Sequence, residues 1–168
     1  QPEGFVKDSS KWVIFPKLSY QNHGRMEARN ESLSAVFSEY SRNRIIPETE
    51  KGCKKGIATH GISFSYTMEA LRSKNAPRML KVATPFPFPE QLAVKFLQGL
   101  DEVLCLEELD PLIEQELVYL CGKYHLSTKI RGKLTHDVAP AGENSCDLTA
   151  SYLADFLGWE QSETDTAD

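Results

Sequence analysis

Several signatures that would identify a function are missing from this sequence. The turn after the first strand of its α/β region, "THGISFSY", holds one glycine, Gly61, and the chain contains neither GxGxxG nor GxxxxGK[ST]. Dinucleotide and P-loop sites need closely spaced glycines so that backbone N–H groups can approach phosphate. The sequence therefore argues against both. No apolar run approaches the roughly 20 residues that a membrane span requires, so we expect no membrane association.

Metal-site spacings are also missing. The cysteines share no CxxC pair, and the histidines form neither HxxxH nor HExxH, the patterns that zinc sites favour. We therefore expect no metal site and reduced thiols, as in a cytoplasmic protein. Cys105 lies in an apolar strand pattern and is expected to be a buried core residue.

The sequence has fewer basic than acidic residues, with 19 Lys and Arg against 24 Asp and Glu, and its net charge is −5. Nucleic-acid binding needs a basic surface, so the charge argues against such a partner. The chain starts at Gln1 with no Met and no basic segment before an apolar core. This start suggests a piece of a longer protein, although a processed terminus would look similar.

The first third of the chain has little regular pattern. A short strand is predicted over "KWVIFP", ended by Pro16, and an amphipathic helix over residues 25–41. The polar stretch "NRIIPETEKGCKKG" predicts a linker, which places a domain boundary near Glu50. Residues 1–50 are thus expected to be a connector that contains one helix.

Strand and helix patterns alternate from residue 51 to residue 158. Strands are predicted over "KGIATHG", "RMLKVATPFPFP", "DEVLCLEEL" and "STKIRGKL", with helices over residues 63–74, 89–100, 110–125 and 147–158. Connections this short imply a parallel sheet with right-handed crossovers that cover its faces. The acidic tail, residues 159–168, is expected to be disordered.

The first strand–helix turn is a candidate ligand site. Thr59, His60, Gly61 and Ser63 follow the carboxyl end of a strand, where open α/β sheets bind ligands. This placement suits a free-standing module that binds a small anion. Alternatively, the hydroxyl groups cap the following helix, a role that Ser and Thr favour. His60 is a candidate general base without an identified partner.

Two adjacent carboxylates, Glu107 and Glu108, follow the third predicted strand. With His60 they would suit a small hydrolase. Neighbouring residues of a strand point to opposite faces, however, and paired catalytic carboxylates must converge on one site. The spacing therefore favours a separate partner for each glutamate, one of them at a helix N-terminus. Asp110 and Pro111 predict the N-cap and first residue of the next helix.

Two further stretches are candidates for contacts. The prolines of "TPFPFPE" favour a stiff extended turn, which either presents Phe86 and Phe88 to a partner or lets both rings close the core. The long polar loop "GKLTHDVAPAGENSCDLT" is typical of a contact surface. Glu143 is its candidate anion, and Asn144 or Asp147 is predicted to cap the last helix.

In order, these segments resemble the 2-oxoacid:ferredoxin oxidoreductase family, most closely the large subunit of indolepyruvate:ferredoxin oxidoreductases. "KVATPFPFPEQLAVKFLQGLDEVLCLEELDP" is similar to a family stretch that reads strand, PxP, helix, VLVVEE and DP. "GIATHGISFSYTMEAL" is similar to GIITSGVSYxYxxEAL, "IRGK" with "PAGE" to IxGK…LPxxGE, and "SRNRI" to xxNxIE. The departures are "GENSCDL", where the family has GEL, and "PRML", which replaces a glycine-bearing approach to the second strand.

The resemblance implies an α/β fold like the transketolase C-terminal domain, with a mostly parallel sheet of about five strands sandwiched by helices. It implies a parent enzyme that decarboxylates indolepyruvate or other aryl pyruvates oxidatively to acyl-CoA. Thiamine diphosphate, magnesium, iron–sulfur clusters and ferredoxin would serve that parent, together with a smaller partner subunit. This chain would follow a thiamine-binding domain, hold no cofactor, and be a non-catalytic assembly domain that contacts other domains.

Overall fold

A computed structural model describes residues 4–12, 15–49, 51–72 and 74–159. The helices and strands follow in chain order: α1 (Ser9–Trp12), α2 (Pro16–Glu39), β1 (Arg44–Ile46), β2 (Lys55–His60), α3 (Gly61–Ala70), β3 (Arg78–Val82), α4 (Glu90–Leu97), β4 (Glu102–Leu106), α5 (Leu112–Lys123), β5 (Lys129–Arg131) and α6 (Cys146–Leu157). None of the helices in these ranges is long and apolar enough to cross a membrane.

The strands form one sheet of five in the order β1-β3-β2-β4-β5. β1 runs antiparallel to β3, whereas β2, β3, β4 and β5 are parallel to one another. Residues 56–59 of the central strand β2 are all buried, as expected where helices cover both faces of a parallel sheet. The predicted α/β class and mostly parallel five-stranded sheet are confirmed.

Two apolar layers lie on opposite faces of this sheet because successive strand residues alternate in direction. Ala58 and Cys105 face α4 and α5, and they pack with Phe96 and Leu117. The residues that alternate with them along β2 and β4, Ile57, Leu104 and Leu106, face the other layer, which includes Leu153 of α6. Cys105 is a buried free thiol, as predicted.

The amino-terminal segments differ from their predictions. Lys11 and Trp12 lie in α1, so the strand predicted over "KWVIFP" is wrong for them, and Val13 and Ile14 fall outside the described residues. The predicted helix begins earlier than residue 25, because α2 starts at Pro16. Proline suits the first helical position, since its fixed φ matches the helix and its missing N–H is not needed there.

The predicted linker contains an edge strand. Asn43, just before β1, is buried; its amide donates to Phe37 O and Thr84 Oγ1 and accepts from Ala83 N and Thr84 N. These bonds tie the end of α2 to the end of β3. Glu50 itself lies outside the described residues, as do 160–168 of the predicted tail, but strands on both sides of the expected boundary share one sheet.

Candidate functional site

Most of the predicted site residues meet at the carboxyl edge, the margin of the sheet where β2, β3, β4 and β5 end. Thr59 of β2 pairs with Leu106 of β4, so the turns that follow these two strands are neighbours. The candidates in those turns are Thr59, His60, Gly61, Ser63, Glu107 and Glu108. The strand pairing thus brings both halves of the predicted site to one place.

Glu107 is fully buried and caps α5 with its side chain. Its Oε2 accepts a hydrogen bond from Ile113 N at 2.9 Å, and its Oε1 accepts one from Glu114 N at 3.0 Å. A carboxylate in this position satisfies free N–H groups and complements the positive end of the helix dipole. The prediction that one glutamate meets a helix N-terminus is confirmed.

The predicted cap of α5 is wrong, because this role falls to Glu107. The N-cap position is held by Pro111 rather than Asp110, and the position makes no side-chain capping hydrogen bond. Asp110 interacts through its backbone, where its carbonyl accepts from Leu112 N. The Glu107 carboxylate, which follows β4, accepts the hydrogen bonds that an N-cap side chain would otherwise accept.

His60 lies beside Glu107 but lacks the partners of a catalytic base. Its Nε2 is 3.5 Å from Glu107 Oε2, with a quarter of the His60 side chain (25%) exposed. Across the described ranges that Nε2 has no hydrogen-bond partner. Glu107 is already engaged by α5. Among the described residues, the predicted His60–glutamate pair therefore has no hydrogen-bonded nucleophile.

Glu108 points to the opposite side and holds a loop instead. Its Oε1 accepts a hydrogen bond from Asn144 N at 3.0 Å, and Asn144 Nδ2 donates to Ser63 Oγ at 2.9 Å. Separate partners for the two glutamates are thereby confirmed. Asn144 does not cap α6, and neither does Asp147, because Ser145 Oγ accepts from Leu148 N.

The hydroxyl groups of the first turn do not cap α3, contrary to the alternative drawn from sequence. The N-cap position of α3 is His60 and makes no side-chain capping bond. Thr59 is buried, and its Oγ1 has no hydrogen-bond partner within the described part of the chain. Gly61 has φ of 55°, a left-handed conformation that a glycine adopts without steric cost. The turn geometry, rather than side-chain capping, starts this helix.

Glu114 is a second buried carboxylate, which the sequence patterns did not reveal. Its Oε2 accepts from Leu134 N at 3.0 Å, so it links α5 to the turn after β5. Burial raises the pKa of the Glu114 carboxyl; hydrogen bonds from Leu134 and Lys133 oppose this rise, and the charges of Glu107 and Asp137 add to it. Gly132 leaves room for the carboxylate, because an added Cβ would lie 2.6 Å from Glu114 Oε2.

Two residues of this region, Cys105 and Lys133, are also buried. Burial raises the pKa of the Cys105 thiol well above its ordinary value, and the charges of Glu107 and Glu114 contribute. Lys133 is buried with its Nζ donating to Ala139 O at 3.1 Å. The "IRGK" tetrapeptide was a sequence clue to this region, although nothing in it predicted that Glu114 would be the partner.

The two phenylalanines of the proline-rich turn have different environments. Phe88 is buried in the apolar layer under α4 and α5, whereas the Phe86 side chain is 74% exposed. One ring therefore closes the core and the other faces solvent. Glu143 is exposed beside Asn144. Within the described ranges, no three His, Cys, Asp or Glu side chains are grouped to hold a metal ion.

The fold and site together define an α/β domain whose carboxyl-edge carboxylates hold helices and loops. No family model matches the chain. Curated relatives do: it is similar to indolepyruvate oxidoreductase subunit IorA of Pyrococcus abyssi, at 31% identity over 159 residues, which cover 93% of this chain and 24% of that subunit.

Similar figures hold for the same subunit from other archaea. IorA of Methanothermobacter thermautotrophicus is 28% identical over 93% of this chain and 25% of its own length. IorA of Thermococcus kodakarensis is 31% identical over 93% of this chain and 24% of its own length. The predicted resemblance is confirmed: the chain is a relative of IorA and spans about a quarter of its length. The α/β fold agrees with the transketolase C-terminal-like assignment that this resemblance implies.

Proposed function

We propose that this chain is a non-catalytic assembly domain of a 2-oxoacid:ferredoxin oxidoreductase that acts on indolepyruvate or other aryl pyruvates. The observation that carries the proposal is the similarity to IorA, which extends over 93% of the chain. In the proposal the parent enzyme decarboxylates its substrate oxidatively to acyl-CoA and passes the electrons to ferredoxin.

The geometry of the carboxyl edge supports a structural role. Glu107 is occupied by two N–H groups of α5, Glu108 by Asn144 N, and Glu114 by Leu134 N. A general base must be within reach of a substrate proton, whereas these carboxylates are committed to the backbone. Negative charge at this edge also disfavours the anion-binding alternative.

The cofactors belong, in this proposal, to other parts of the parent enzyme. Iron–sulfur clusters require sets of cysteine ligands, and the cysteines of this chain are spread among separate elements. We therefore assign thiamine diphosphate, magnesium and the clusters to neighbouring domains or to a smaller partner subunit. The cytoplasm is the proposed location.

The experiment is anaerobic expression of the complete gene product that contains this chain, with any co-transcribed subunit. Reduction of a viologen dye by indolepyruvate is then measured in the presence of thiamine diphosphate, magnesium and coenzyme A. We expect activity in the complete protein and none in residues 1–168 alone. A complete protein without 2-oxoacid-dependent reduction would contradict the proposal.

The His60→Ala variant of the complete protein separates a structural domain from a catalytic one. We expect its kcat/KM for viologen reduction to stay within about twofold of the wild-type value, because His60 Nε2 has no hydrogen-bonded nucleophile among the described residues. A loss of this activity, without a change in thermal stability, would show that the domain supplies a catalytic residue and would contradict its assignment as non-catalytic.

A further inference from the structure

Large apolar side chains are exposed after each of the four parallel strands. Ile62 follows β2, Phe86 follows β3, Leu109 and Leu112 follow β4, and Leu134 follows β5. We call these five residues the carboxyl-edge patch. Because the carboxyl ends of parallel strands share one margin of the sheet, and neighbouring strands are about 4.8 Å apart, the five lie along one side of the molecule.

The opposite margin of the sheet carries fewer exposed apolar side chains. The described segments that lead into the parallel strands, residues 51–54, 74–77, 98–101 and 125–128, contain no exposed large apolar residue, and the helix ends before them expose Met68 and Tyr124. Scattered exposed apolar residues are normal on a protein surface, but a contiguous set marks an interaction site. The asymmetry between the two margins therefore points to a contact surface at the carboxyl edge.

Partly buried hydrogen bonds hold the turns of the patch in place. Asn144 links Ser63 of α3 to Glu108, and Glu114 links α5 to the turn that carries Leu134. A surface fixed before binding loses less conformational entropy when a partner docks. The polar groups at this edge thus stabilise the chain and also fix the conformation of the patch before a partner binds.

Leu109 has both an exposed apolar side chain and an unusual backbone conformation. It has φ of 57° and its side chain is 81% exposed. The left-handed conformation is unfavourable for a non-glycine residue, and burial of the Leu109 side chain within the described chain offsets little of that cost. Strained residues of this kind are common at functional sites.

The charges around the carboxyl-edge patch restrict which kind of partner can bind to it. The exposed or half-buried acidic residues in these turns are Glu108, Asp110, Asp137 and Glu143. Asp137 is paired with Arg131, and the lysine of the same turns, Lys133, is buried. A second copy docked about a two-fold axis would bring these acids against one another, which is unfavourable. The surface fits a partner face with an apolar centre and basic surroundings.

We infer that the carboxyl-edge patch docks onto a basic face of another domain of the same, longer polypeptide. The inference rests on the proposed function, in which this chain is one domain of a larger subunit. The chain spans about a quarter of the IorA subunits, so a full-length relative has ample further chain to supply such a face. Interfaces between domains of one chain resemble transient protein–protein interfaces, in which an apolar core is surrounded by a polar rim.

The test is site-resolved labelling of an introduced cysteine. Leu109→Cys and, as a matched control on α5, Val118→Cys are made both in residues 1–168 and in the complete gene product. Both parent residues are exposed apolar side chains, and maleimide labelling is read by mass spectrometry of the relevant peptide. Circular dichroism and the Tm check that each variant is folded, with Leu134→Cys as a second reporter.

We expect Leu109→Cys to label about tenfold more slowly in the complete polypeptide than in residues 1–168, because a thiol must be accessible to react. Val118→Cys should label at the same rate in both. Equal rates for Leu109→Cys would overturn the inference, as would a gene that encodes no further domain. Protection that requires a separate subunit, or that grows with the concentration of residues 1–168 alone, would assign the patch to another occupant and also overturn it.

The labelling result does not depend on enzyme activity, so the two proposals can fail separately. Protection of Leu109→Cys in a complete protein without oxidoreductase activity would leave the docking inference standing and reject the proposed function. Full activity with an unprotected Leu109→Cys would do the reverse. Leu109→Gly, which suits the observed φ, should retain the Tm of residues 1–168 and loosen the docked domain toward limited proteolysis.

Discussion

The side chain of Glu107 combines two physical effects at one residue. It satisfies two backbone N–H groups of α5 and places its negative charge at the positive end of the same helix. Its removal leaves both donors buried without a partner, and each such donor costs about 1–3 kcal/mol. The residue is therefore important for stability even though no chemistry is assigned to it.

We expect Glu107→Ala to lower the free energy of unfolding by about 2–4 kcal/mol, through two unsatisfied donors and a lost interaction with the helix dipole. Asp110→Ala is the matched control, because Asp110 is the cap that the sequence predicts but that makes no capping bond. Its effect should stay within about 0.5 kcal/mol. Urea unfolding of both variants measures the difference, and the reverse order of effects would show that Asp110 is the true cap.

The raised pKa of Glu114 predicts that the stability of the protein depends on pH. Burial raises the pKa of its carboxyl above the ordinary value of 4.5, so the folded state binds a proton more tightly than the unfolded state does. The contribution of Glu114 to stability is therefore complete below pH 4.5 and is lost as the pH rises through the raised pKa.

The Glu114→Gln variant should remove this loss, because an amide does not titrate and its oxygen can still accept from Leu134 N. Relative to wild type, its free energy of unfolding should improve as the pH rises from 4.5 towards neutrality. Urea unfolding at several pH values gives the comparison, in which Asp137 and the other acids are common to both proteins. A constant difference across this range would contradict the prediction.

At the scale of elements, two large side chains from α4 and the turn after it pack directly against the central strand. A Cβ at Gly56 of β2 would come within 2.6 Å of Leu100 Cδ1 and 2.9 Å of Phe96 Cζ. Both neighbours are buried, and β2 is paired on both sides, so neither the side chains nor the strand can easily shift. Glycine at this position leaves room for these two side chains.

Gly56→Ala should cost about 1–3 kcal/mol through overpacking. Gly122→Ala in α5 is the control, because its added Cβ meets no atom within 4 Å and should stabilise the helix by about 0.5 kcal/mol. Thermal or urea unfolding of the two alanine variants gives opposite signs if the close approach is real. Similar small effects at both positions would contradict it.

The elements also show where sequence patterns succeed and fail. Strands β2, β3 and β4 were predictable because each contains an apolar run between turn residues, and β5 was predicted within the longer stretch "STKIRGKL" although only Lys129–Arg131 form it. The edge strand β1 was missed, since its three residues pair with β3 but lie in an otherwise polar stretch. α2 was predicted too short because Pro16 was interpreted as the end of a strand rather than the start of a helix.

At the scale of the whole molecule, stability is unevenly distributed. α2 has no buried residue among its 24, and most of the stability of a helix in a protein comes from tertiary packing of its apolar face. Strands β2 and β4 lie between two apolar layers. The sheet and its covering helices therefore form the stable part, and α2 the part that opens first.

Native-state hydrogen exchange of residues 1–168 should show this difference. We expect amides of residues 19–30 to open at roughly 2 kcal/mol or more below those of residues 57–59 and 103–106. Mass spectrometry of peptides from the two regions gives the rates. Equal protection of α2 and the central strands would mean that the helix is stabilised by more than its contact with α4.

The sequence by itself determined the α/β class, the parallel strands and the kinship with IorA, because these depend on periodic patterns and on the order of short motifs. Tertiary structure alone decided which groups meet at the carboxyl edge. Glu108 and Asn144 are 36 positions apart, and Asn144 and Ser63 are 81 apart. Such partners are chosen by strand order and helix placement, and no local pattern records them. The exposed patch emerges in the same way, since its residues share a surface only after the four strands have aligned.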